Sequence, residues 1–79
     1  MPYDDLLRII NQVRENKHQG PINEMPPGLR LREDLGFESL DLAELTVRVE
    51  EEYKADVFAN GLVHTVGEVL AKIAAAPHR

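Results

Sequence analysis

Apolar residues return at helical spacing in three stretches of the chain. In the first, Leu6, Ile9, Ile10 and Val13 line one face with Leu7 beside them, which predicts a helix from about residue 3 to 17. Asp4 and Asp5 near its start and Lys17 and His18 near its end suit the helix dipole, and Gly20-Pro21 supplies a stop. A second helix is expected from about 39 to 53. A third begins after Thr65 and runs from about 66 to 75, with Val66, Val69, Leu70 and Ile73 inward and Pro77 beyond its end. Thr65 and Glu68 have the T-x-x-E spacing of a capping box, while Gly67 reads as a mild weakness inside that helix. A short helical turn is expected at about 59–62. Between the first two helices, Pro21, Pro26, Pro27 and Gly28 forbid a long helix over residues 20–38. Ile22, Met25, Leu29, Leu31, Leu35 and Phe37 recur through that loop and would pin it to the body. The expectation is one all-α domain over residues 1–79: a small bundle of three main helices and one short one, with a long ordered loop after the first.

The second stretch carries three faces. At about 100° per residue, Leu42, Leu45, Thr46, Val49 and Tyr53 share one arc, the usual width of a buried stripe. Asp41, Glu44, Glu51 and Glu52 gather roughly opposite, with Arg48 among them. Leu40, Ala43 and Val47 form a third arc beside the acids, apolar but unable to share the same core contact. Two readings of that arc stand side by side: partial burial under the long loop, or an exposed strip that a partner covers, with the acids guiding approach. The acids themselves read either as a solvated face or as part of such a surface. Glu50, Glu51 and Glu52 in a row near a helix C-terminus oppose the dipole, a local cost with no gain visible in the sequence.

Composition narrows the function. At 79 residues the chain buries only about 60% of its unfolded surface and has little room for a deep catalytic pocket, which favours a binding or carrier role over an enzyme. It has no cysteine, so disulfides, thiolate zinc sites and protein thiol nucleophiles are excluded. The net charge of −5 is concentrated: residues 33–56 hold nine acids against Arg48 and Lys54, a local charge of −7. An acidic centre argues against nucleic acid and for partners with basic patches. No stretch is apolar enough for a membrane span and no signal peptide is visible, so a cytoplasmic monomer is expected.

Ser39 is the candidate for chemistry. A serine ahead of an apolar periodic run is most often an N-cap. The same place also suits an attached phosphate, because the first turn of a helix offers unpaired N–H groups and positive potential. Gly36 provides a tight turn just ahead, and Glu38 and Asp41 flank the serine in positions suited to capping or surface charge. A hydrolase using Ser39 with His18, His64 or His78 fits poorly, since Phe37 and Asp41 stand where a nucleophile elbow needs glycine. The carboxylates lack the spacing and central glycine of a calcium loop.

The stretch LREDLGFESLDLAELTVRVEEEY, residues 31–53, resembles the acyl carrier protein family around its D-S-L modification motif. The likeness lies in Asp34-Leu35-Gly36, a spacer, then Glu38-Ser39-Leu40-Asp41, with Ala43-Glu44-Leu45 and the acidic end Glu50-Glu51-Glu52-Tyr53 following. Thr65-Val66-Gly67 at the start of the last helix, and an N-terminal amphipathic helix followed by a long loop, extend it over nearly the whole chain. The resemblance implies that a phosphopantetheinyl transferase moves phosphopantetheine from coenzyme A to Ser39. It implies that the arm's thiol carries acyl groups as thioesters to acyl-transferring and condensing enzymes of fatty-acid, polyketide or related biosynthesis. It also implies that the domain is no enzyme itself, and that Glu38, Leu40, Asp41, Ala43, Glu44, Val47 and Glu51 meet partners with basic docking patches. A carrier of aminoacyl or other non-fatty groups shares these residues, and an unmodified helical docking module is the remaining alternative. Two positions depart from the pattern. Glu38 replaces the usual aspartate, which keeps the charge on a longer side chain, and Arg48 interrupts the acidic face.

Overall fold

A computed structural model describes residues 2–53 and 63–75. The three periodic stretches are the helices α1 (Pro2–Asn16), α2 (Ser39–Tyr53) and α3 (Val66–Ala75). Among the described residues there is no strand, only an antiparallel bridge between Arg30 and Thr65. The short helix expected at 59–62 lies outside the described residues. None of the helices is long and apolar enough to cross a membrane.

α1 ends ahead of the expected Gly20-Pro21 stop. The Gln19 N–H donates to the Arg14 carbonyl at 2.9 Å and the His18 N–H to that of Glu15 at 2.9 Å, with His18 at φ 61°. That pair of bonds is a Schellman turn, which needs one left-handed residue and here takes it from histidine rather than glycine. The Arg14 Nε–H then donates to the Gly20 carbonyl at 2.8 Å, tying the departing chain back to the helix.

The direction of α2 follows from its side-chain pairs with α1. Asp5 accepts from the Tyr53 hydroxyl at 3.0 Å, and Arg8 pairs with Glu52 at 2.9 Å. Gln12 accepts from Arg48 at 3.1 Å, Asn16 donates to Glu44 at 2.8 Å, and Lys17 pairs with Asp41 at 2.8 Å. Numbers rise along one helix as they fall along the other, so the two run antiparallel. Leu6, Ile9, Ile10 and Val13 of α1 meet Leu45 and Val49 of α2 and Val66, Val69 and Ile73 of α3 in one core.

The connection between α1 and α2 is part of that core. Met25, Leu31, Leu35 and Phe37 are buried, and Ile22 and Leu29 pack against them. Two side chains of α1 hold its backbone. The Asn11 amide donates to the Ile22 carbonyl at 3.1 Å and accepts from the Ile22 N–H at 2.9 Å, and the Tyr3 hydroxyl accepts from the Met25 N–H at 2.8 Å. A connection that buries side chains needs its backbone polar groups paired, and these bonds do so at Ile22 and at the Met25 N–H.

The same connection closes the start of α3. The Val66 N–H donates to the Leu29 carbonyl and the Gly67 N–H to that of Pro27, both at 2.9 Å. The Thr65–Glu68 capping box forms as its spacing predicts: Glu68 N–H donates to Thr65 Oγ1 at 3.2 Å, and Thr65 N–H to Glu68 Oε1 at 3.0 Å. Gly67 is therefore no weakness. A Cβ there would stand 2.9 Å from the Pro27 oxygen, closer than such atoms approach, so glycine is what lets the connection dock.

Candidate functional site

Residues 30–37 form a tight turn that aims the start of α2. The Asp34 carboxylate accepts from the Arg30 N–H at 2.7 Å and from its guanidinium at 3.3 Å, and these bonds hold Asp34 below the ordinary carboxylate range. The Gly36 N–H donates to the Arg32 carbonyl at 3.0 Å and the Phe37 N–H to that of Leu31 at 3.0 Å. Gly36 reverses the chain at φ 71°, in the left-handed region that glycine tolerates best. Leu35 and Phe37 on either side are buried. The Asp-Leu-Gly-Phe run is thus a pinned turn: one carboxylate, one left-handed residue and two apolar anchors.

Ser39 is the first residue of α2 and is exposed. It is not the cap. The first intrahelical bond runs from the Leu42 N–H to the Glu38 carbonyl at 2.9 Å, and the Glu38 N–H is satisfied by the Asp41 carboxylate at 2.8 Å. Glu38 therefore occupies the cap position, and Asp41, three residues on, supplies the returning side chain of a capping box. Relieved of capping, the Ser39 hydroxyl has one side-chain partner among the described residues, Arg32, whose Nη2 donates to Oγ at 3.4 Å. Neither described histidine, His18 or His64, hydrogen-bonds to it. The N–H groups of Ser39, Leu40 and Asp41 likewise make no hydrogen bond among the described residues, so the α2 terminus keeps the donors that α3 has closed.

Asp41 faces inward more than its place in the sequence suggests. Its side chain is 13% exposed and bonded to Lys17 at 2.8 Å. The Lys17 bond, then the Glu38 N–H, lower the Asp41 pKa, and the bond to Asp41 raises that of Lys17. Of the seven residues named as a partner surface, Asp41 is thus taken up within the molecule. Glu38 is open to solvent and stands 3.9 Å from Lys17.

The third arc of α2 is exposed rather than covered by the connection. Leu40 is 81% and Val47 54% exposed, and Ala43 is open beside them. With Glu44, Arg48 and Glu51 these residues line one shallow concavity running back from Ser39. Glu44 is tied to Arg48 at 2.8 Å and to Asn16, and Arg48 reaches Gln12, so Arg48 braces α2 against α1. Of the acidic run near the end of α2, Glu52 has the structural partner that the sequence does not reveal, Arg8 of α1, while Glu51 borders the concavity.

Two residues at this site escape sequence reasoning. Lys17 reaches Asp41 and Glu38 only because α1 and α2 are antiparallel, a long-range fact with no local mark. Arg32 lies within the quoted motif stretch, and its position just ahead of the Gly36 reversal was the available signal. No family model, no curated protein and no solved structure matches the chain.

Proposed function

We propose that the chain is an acyl carrier protein whose phosphopantetheine arm is attached at Ser39. The observation that carries this reading is the placement of an exposed, uncapping serine hydroxyl at the first residue of α2, behind a turn fixed by Asp34 and Gly36. The donor set fits the phosphate of such an arm: open N–H groups at the start of α2 and the Arg32 guanidinium beside Oγ. In the attachment step Ser39 Oγ forms an ester bond to phosphorus, the bond from phosphorus to the adenosine bisphosphate of coenzyme A breaks, and the serine proton passes to the transferase. When bound, the arm supplies a thiol that holds acyl groups as thioesters.

The chain's own part is presentation. The pinned turn fixes where Oγ stands, and the Glu38–Asp41 cap fixes the helix behind it. Leu40, Ala43 and Val47, bordered by Glu38, Glu44 and Glu51, offer enzymes an apolar strip within an acidic field. Burial of that strip would supply affinity, and the acids would select partners with basic patches. Fatty acyl, polyketide and aminoacyl cargo would all be served by these residues.

The test is incubation with coenzyme A and a broad-specificity phosphopantetheinyl transferase, read by intact mass. The expected result is a gain of one phosphopantetheine in the wild-type chain and none in Ser39→Ala. No gain, or the same gain in the variant, removes the carrier reading.

A further inference from the structure

Resting on the carrier reading, we propose that Arg32 is the resident counter-ion of the phosphodiester at Ser39, pinning the root of the arm against the 30–37 turn. Of the three cations in the 30–37 turn and against the start of α2, two are spoken for. Lys17 is bonded to Asp41 at 2.8 Å with Glu38 at 3.9 Å, and Arg30 is held by Asp34 at 3.3 Å with Glu33 at 3.7 Å. Arg32 pairs with no carboxylate among the described residues, and the one hydrogen bond of its guanidinium there is the long 3.4 Å bond to Ser39 Oγ. A guanidinium carries five donors, so most of its capacity is unused.

A phosphate esterified to Oγ places its two non-bridging oxygens two bonds beyond the atom that Arg32 already reaches. The planar fork of arginine matches such a pair of oxygens, and the bonds are charge-assisted. The surroundings favour a counter-ion. The new negative charge arises beside the Glu38 carboxylate, a like charge, in a segment already at −7. The base of Arg32 is also fixed: its carbonyl accepts from the Gly36 N–H at 3.0 Å, and Leu31 before it is buried. The guanidinium therefore works from a rigid platform. Arg32 is a positioning residue: it holds the first atoms of the arm and leaves the length beyond the phosphate mobile.

The experiment compares the wild-type chain with Arg32→Gln and Arg32→Lys, each loaded from coenzyme A by the transferase and checked by mass. Amide spectra confirm that the variants fold. In the wild type, loading is expected to shift the Arg32 Nε–H signal and to slow its exchange with water several-fold. The phosphorus resonance of loaded Arg32→Gln is expected to move toward that of the same loaded chain unfolded in urea, with Arg32→Lys between the two. If all chains gain the arm yet the phosphorus resonance is identical in wild type and Arg32→Gln, and Nε–H exchange does not respond to loading, the inference is overturned and the carrier reading stands. If no chain gains mass, the carrier reading falls and takes this one with it.

Discussion

Two glycines show how much one missing methyl group decides. Gly36 has open space where a Cβ would stand, and its demand is conformational: at φ 71° most L-residues are strained by about 1–2 kcal/mol. Gly67 has the opposite character, helical backbone with a carbonyl pressed against it. Gly67→Ala gains about 1 kcal/mol in helix propensity. Against that, it drives a Cβ to 2.9 Å from the Pro27 oxygen and strains the bond from its own N–H to that oxygen. The expected balance is a loss of about 1–3 kcal/mol, read as a lower urea midpoint with an unchanged slope. Propensity alone puts the wrong sign on Gly67, because Pro27 is distant in the chain and a packing contact leaves no local mark. At Ser39 the sequence left two roles open, cap or free hydroxyl: residue type favours a cap, but the backbone enters the helix one residue earlier, at Glu38.

At the scale of elements, local spacing was legible and pairing between helices was not. The apolar faces of α1 and α3 and the Thr65–Glu68 box follow from positions a few residues apart, and each forms as spaced. The His18 reversal and the bonds from Lys17 to Asp41 and from Arg8 to Glu52 depend on how the chain turns and on which helix lies opposite. The capping carboxylates give the elements a common response to acid. Asp41, Asp34 and Glu68 all ionise below their ordinary values. Lys17 and the Glu38 N–H act on the first, the Arg30 N–H and guanidinium on the second, and the His64 and Thr65 N–H groups on the third. A folded pKa below the unfolded one gives stability that is present above about pH 4 and is lost as pH falls through the lowered values. Helicity followed by circular dichroism is expected to fall in that acid window, with a shallower acid dependence of stability in Asp41→Asn. Tyr53 has the opposite sign. Burial, then its bond to Asp5, push its hydroxyl up to about 12, so its contribution is complete below about pH 10 and disappears as pH rises through about 12. Tyr53→Phe is expected to remove that alkaline step from a stability titration.

At the scale of the whole molecule, charge is divided by use. The acids and bases that join α1 to α2 are spent within the fold, while Glu38 and Glu51 remain on the surface beside Leu40 and Val47. A docking test should therefore leave Glu44 alone, since Glu44 also holds Asn16 and Arg48. Val47→Asp and Glu51→Lys are expected to lower kcat/KM for loading or acyl transfer by about tenfold each, near 1–2 kcal/mol, with no change in Tm. Unaltered transfer in both would place the docking face elsewhere. The connection between α1 and α2 bears on the molecule as a whole in another way. Four of the thirteen buried apolar side chains among the described residues belong to it, and the bonds after Arg30 and Arg32 lie between them. A trypsin-like protease needs several residues drawn out into its cleft, which Leu31 and Leu35 forbid while they are buried. Cutting at these surface arginines must then wait for the core to open, so the digestion rate of this segment gauges the unfolding equilibrium rather than loop exposure.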